Sequence, residues 1–177
     1  MKKILTISVI AGLFLFSSCS FLNKIGTGSS VKLFSICNKA TSAELDSVIV
    51  SLFNQNIITS NVDEYYDMIK QKASHTVVPL LDSVRKYEKK HFYTLDYLNR
   101  KHFLCYLSSI NAFYGLDVCN CGLLCSGCDL NISTIIMNEV SDYDLTWKEK
   151  KQALLAFERE ILPLIRANVE RIGKEKK

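Results

Sequence analysis

Four of the seven cysteines in this 177-residue chain fall within the segment Cys119-Asn120-Cys121-Gly122-Leu123-Leu124-Cys125-Ser126-Gly127-Cys128. Three chemistries fit such a cluster. The first is a disulfide framework that also draws on Cys37 and Cys105, six sulfurs in all, which expects an oxidising compartment and contributes roughly 2–4 kcal/mol per staple. The second is a thiolate site at Cys119, Cys121, Cys125 and Cys128 for zinc or copper, since soft sulfur suits both ions. The third is a thiol–disulfide oxidoreductase working through Cys125-Ser126-Gly127-Cys128, whose reactivity needs a helix N-terminus or a nearby cation to lower a thiol pKa. Spacing favours the staple. Zinc knuckles are usually separated by a dozen or more residues, and no βαβ pattern flanks the C-x-x-C.

The elements that must position these sulfurs read as helices. No glycine occurs from Ser29 to Tyr114, which argues against the many turns of a sheet. Thr41-Ser42-Ala43-Glu44 is a capping box, followed by Leu45, Val48, Ile49, Leu52 and Phe53 on one helical stripe. Asn61 with Glu64 marks a second start and Thr76 with Pro79 a third. Thr94 opens a fourth helix, with His102 and Cys105 on one face and Gly115 as its stop. Thr146-Trp147-Lys148-Glu149 is another capping box. Its helix bends at Pro163 and stops at Gly173, with Asp142-Tyr143-Asp144 capping ahead of it. Val31 to Cys37 is short and apolar, compatible with a strand or a docked arm, and is counted as irregular. The expected fold is all-α: a bundle of about five helices over residues 39–177, with a cysteine-rich loop at 119–128.

His102 and Cys105, three apart, form a candidate metal pair on that helix, although packing is the commoner role. His75 and His91 read as surface or capping residues. Adjacent aromatics such as Tyr65 and Tyr66 require one ring at the rim, where it can serve a binding face. No G-x-S-x-G, phosphate-binding glycine loop or H-E-x-x-H is present, so the sequence gives no basis for a catalytic assignment. Twenty-two basic against 18 acidic residues is too small an excess to argue for nucleic acid.

The N-terminus carries an address. Lys2 and Lys3 precede an uncharged run from Ile4 to Phe16, shorter than the roughly 20 residues that span a bilayer, and then Ser17, Ser18 and Cys19. Phe16-Ser17-Ser18-Cys19 resembles the lipobox of bacterial lipoproteins, with Phe16 in place of the usual leucine. The resemblance implies cleavage of residues 1–18 and diacylglycerol on the Cys19 sulfur, with a further acyl chain such as palmitate on its amino group. Residues 19–38 then form a flexible tether containing Gly26 and Gly28. The implied partner is the lipid bilayer, with an envelope protein as a further one. Ser20 after the anchor implies the outer membrane in a Gram-negative host. The expected role is a non-enzymatic structural or interaction module of the cell envelope, with metal binding and thiol redox chemistry as the alternatives.

Overall fold

Between Lys101 and Met137 the chain runs as three long strands. The computed structural model describes residues 31–37, 40–71, 77–95, 100–120 and 128–175. Its strands are β1 (Lys32–Cys37), β2 (Thr94–Leu95), β3 (Lys101–Leu107), β4 (Ala112–Asn120), β5 (Cys128–Met137) and β6 (Val140–Ser141). They pair antiparallel in one six-stranded sheet of order β1-β5-β4-β3-β2, with β6 also on β5. The helices are α1 (Ser42–Asn54), α2 (Val62–Lys70), α3 (Val78–His91), α4 (Trp147–Glu160) and α5 (Leu162–Glu175), with one 3-10 turn at Ser108–Ile110.

The all-α bundle is therefore corrected to a mixed α and β fold. The expected helix from Thr94 to Gly115 is in fact β2, β3 and the first part of β4, and the unassigned Val31–Cys37 segment is β1. Both faces of the sheet are covered, so Phe103, Leu104 and Cys105 are buried in succession, and the period-two signature of a half-exposed strand is lost. Glycine was the wrong turn marker. Asn111 turns the chain from β3 to β4 at φ 49°, and Asn138 and Glu139 join β5 to β6 with φ of 51° and 66°. A two-residue hairpin with both φ positive is the turn that matches strand twist, and asparagine tolerates that conformation.

The first face of the sheet carries Phe103, Tyr114, Leu116, Leu130, Ile132 and Ile135 into the main core, against α1, α4 and α5. Phe157 of α4 anchors it, its ring 5.7 Å from Phe34 of β1 and 5.1 Å from Tyr114 of β4. The second face is covered over part of its length by α2 and α3, where Val62 and Tyr66 meet Leu104 and Phe113. Arg85 of α3 pairs with Asp67 at 2.8 Å and with Asp63, tying the two helices together.

Both capping boxes form. The Glu44 N–H donates to Thr41 Oγ1 at 3.3 Å and the Thr41 N–H donates back to Glu44 at 2.7 Å; Thr146 and Glu149 repeat this at 3.3 and 2.8 Å. Pro79 sits in the first turn of α3. Pro163 divides the last helical stretch into α4 and α5 at Ile161, as the missing N–H requires. Three stops and caps differ from expectation. Gly115 lies inside β4, α5 continues through Gly173, and Asp142 is buried as the acceptor of Thr134 Oγ1 at 3.0 Å rather than capping a helix.

Candidate functional site on the second face of the sheet

Alternation along β3 and β4 sends His102, Leu104 and Tyr106, and Phe113, Gly115 and Asp117, to the second face. The face is thereby divided. Leu104, Tyr106, Phe113 and Ile136 meet α2 and α3, whereas the other half is polar. His102, Asp117 and Asn131 are successive register partners across β3, β4 and β5, and so form one row. His102 Nδ1 donates to Asp117 Oδ1 at 2.6 Å, and Asn131 Nδ2 reaches Asp117 Oδ2 at 3.5 Å. A carboxylate can only accept, so it holds the hydrogen on Nδ1; in the neutral ring the lone pair is then on Nε2. The ring and the carboxylate remain about a third and a quarter exposed, within reach of a ligand.

Gly115 is the floor beneath the imidazole. A Cβ built there would lie 2.7 Å from His102 Cε1, 2.9 Å from Nε2 and 2.8 Å from Thr134 Cγ2. Its φ is not positive, so the position calls for glycine to make room for the ring. Gly115→Ala is expected to gain about 0.5–1 kcal/mol of strand propensity but to lose about 1–3 kcal/mol to overpacking, because Asp117 and Asp142 fix both neighbours. The expected net loss is about 1–2 kcal/mol by urea denaturation, together with loss of the hydrogen-bonded Nδ1 proton in the NMR spectrum. An alanine variant as stable as the parent, with that proton retained, would contradict this geometry.

A second carboxyl lies close by. Glu88 of α3 is 2% exposed and accepts from the Tyr66 hydroxyl at 2.9 Å. Burial pushes the Glu88 carboxyl above its usual range, against smaller opposing pulls from the Tyr66 hydrogen bond and from His102. Burial, reinforced by Glu88, raises the Tyr66 phenol well beyond its ordinary value. With Asp129, Asn131 and Asp142, Glu88 completes the set of buried polar or charged residues among those described. Polar groups so concentrated beside one sheet face are a departure from packing logic that points to a binding site.

The cysteines divide. Cys37, the last residue of β1, is the register partner of Cys128, the first of β5; Cys119 is paired with Asp129 and Asn120 with Cys128. These cysteines thus gather at one end of the sheet, the end where residues 121–127 connect β4 to β5. Cys19, Cys121, Cys125 and His75 lie outside the described residues. Cys105 is elsewhere: it is a free, fully buried thiol opposite Tyr114 in the main core, pushed up to about 12 by burial. Strand alternation puts it on the face opposite His102, so the expected His102–Cys105 pair does not form. Among the described residues no three His, Cys, Asp or Glu side chains are arranged to hold a metal, and no helix is long and apolar enough to cross a membrane.

The row His102–Asp117–Asn131 joins residues distant in sequence, which no local motif links. The available signal was the alternation of H-x-L-x-Y against F-x-G-x-D, legible only once both segments are read as strands. Comparison with protein families, with characterised proteins and with solved structures finds no match to this chain.

Proposed function

We propose that this chain is a lipoprotein of the bacterial cell envelope, anchored through acyl chains on Cys19, whose folded domain works by binding rather than by catalysis. The observation that carries the reading is the succession Lys2-Lys3, the uncharged run to Phe16, and Ser17-Ser18-Cys19. At roughly 0.8 kcal/mol per buried CH₂, two or three acyl chains hold a protein on a membrane essentially permanently. The polar row on Gly115 is the binding surface of the domain.

Cys128 forms no disulfide in this structure, and the staple reading is supported by the register alone, which sets Cys37 opposite Cys128. Cross-strand partners have Cα atoms about 4.5–5.5 Å apart, inside the span that a disulfide bridges. A Cys37–Cys128 bond would tie the edge strand β1 to its neighbour β5. Cys105, remote from that end, stays reduced. The thiolate site at Cys119, Cys121, Cys125 and Cys128 is the second reading, carried by the clustering of these four cysteines in the sequence. The oxidoreductase reading is weaker, because Cys128 opens a strand rather than a helix.

Intact mass spectrometry of the chain taken from membranes without reduction is the test. The expected result is cleavage before Cys19, added acyl mass, and Cys105 among the thiols alkylated only after unfolding. Cys19→Ala is expected to leave the membrane fraction. An unacylated chain overturns the anchor. Alkylatable thiols at 119, 121, 125 and 128, with metal bound under native conditions, replace the staple by the metal reading.

A further inference from the structure

We infer that the outer face of α4 is a membrane-contact surface that lays the domain against anionic lipid; the inference rests on the Cys19 anchor proposed above. The exposed arc of this helix carries Trp147, Lys148, Lys151, Gln152, Leu155 and Arg159. Trp147 is 76% exposed and Leu155 54%, large apolar side chains turned to solvent on a helix whose other side already packs through Ala153, Ala156 and Phe157. Lys151 Nζ lies 5.1 Å from the Trp147 ring centroid, so the cation and the indole share one patch.

The acidic residues of α4 are engaged elsewhere. Glu149 is bound into the Thr146 cap, Glu158 pairs with Lys32, and Glu160 accepts from Ser109 and Arg159. Arg159 is matched by Glu160, so the positive charge that remains outward is that of Lys148 and Lys151, beside an indole and a leucine. That composition fits the headgroup zone of an anionic bilayer, where lysine stems snorkel and tryptophan sits at the boundary.

The position of the anchor selects lipid over a protein partner. Lys32, at the start of β1, pairs with Glu158 of α4, and Phe34 stacks on Phe157. The chain leading from Cys19 therefore enters the fold beside this helix. Thirteen residue steps reach at most about 45 Å, so an anchored domain is confined near the bilayer with α4 adjacent to its point of attachment.

Trp147 is the single tryptophan of the chain and reports on its own surroundings. The full processed protein is reconstituted in vesicles of phosphatidylcholine alone or with phosphatidylglycerol, and its fluorescence is quenched by brominated lipid or by aqueous iodide. In anionic vesicles the emission is expected to move to shorter wavelength, with quenching by brominated lipid and protection from iodide. Lys148→Gln and Lys151→Gln are each expected to lower the ratio of docked to undocked protein about fivefold at low salt. Trp147 open to iodide in both vesicle types overturns the inference. So does a blue shift without lipid quenching, which means that a second copy or another protein covers the face. Lipid quenching indifferent to phosphatidylglycerol and to both substitutions overturns the electrostatic docking. Flotation with the vesicles reports the anchor separately. Protein that floats with Trp147 exposed rejects this surface alone; protein that does not float rejects the anchor, whatever Trp147 does.

Discussion

Phe157→Ala is expected to remove about 3–5 kcal/mol of folding stability, the largest effect of any substitution considered for this domain. The ring is fully buried and connects three elements: its own helix α4, the edge strand β1 through Phe34, and the central strand β4 through Tyr114. Its neighbours on the helix are Ala153 and Ala156, whose methyl groups cannot extend into the space vacated. The cavity therefore persists, and the transfer loss and the cavity loss add. Against a total stability of roughly 5–15 kcal/mol for a domain, the variant is left marginal or unfolded. Urea denaturation checks it, with Leu155→Ala on the exposed side of the same helix expected to change stability by less than about 0.5 kcal/mol. Equal losses in the two variants would mean that α4 packs differently.

Tyr66→Phe is expected to lower stability by about 1–3 kcal/mol, because it leaves the buried Glu88 carboxyl without its donor while leaving the packing of the ring almost unchanged. The effect depends on pH in a defined sense. The folded-state pKa of Glu88 is raised above its unfolded value of 4.5, so the folded protein holds this proton more tightly. Stability from this group is therefore greatest below about pH 4.5, where the carboxyl is protonated in both states. It declines as pH rises from the unfolded pKa through the folded one. Losing the Tyr66 hydrogen bond, which favours the anion, moves the folded pKa further up and deepens the decline. The penalty of Tyr66→Phe should thus be smaller at pH 4 than at pH 7. Glu88→Gln, neutral and of the same shape, should flatten the decline and match or exceed the parent at neutral pH. Urea titrations from pH 4 to pH 8 measure both, and a penalty independent of pH would contradict a buried ionised Glu88.

What the chain disclosed in advance was local. Thr41 and Thr146 could be read as helix starts because a capping box is complete within four residues, and Pro163 marked the break between α4 and α5 for the same reason. The strands resisted because their evidence is non-local. Burial on both faces hid the alternation of β3. Asn111, Asn138 and Glu139 made the turns that glycine was expected to make. His102 and Cys105, three apart, fit one helical face until a partner strand exists and alternation sends them to opposite faces. His102 and Asp117 are fifteen residues apart and meet only when β3 and β4 pair. The cysteine cluster was visible as a segment, but its meeting with Cys37 depends on β1 crossing to β5. Gly115 reads in the sequence as a helix stop; in the sheet it leaves space for the His102 ring.

The pairing of β1 with β5 also bears on how the molecule comes into being. The first strand of the sheet finds its partner nearly at the end of the strand order in the chain, so its hydrogen bonds are delayed until most of the domain has emerged. Contacts of such long sequence separation close late, after their loop entropy has been overcome. In a chain made N-terminus first, the first strand is then incorporated only after the four that follow it. Until β5 arrives, Leu33, Phe34 and Ile36 form an unpaired apolar stretch, the stage at which a misplaced strand edge would have its opportunity.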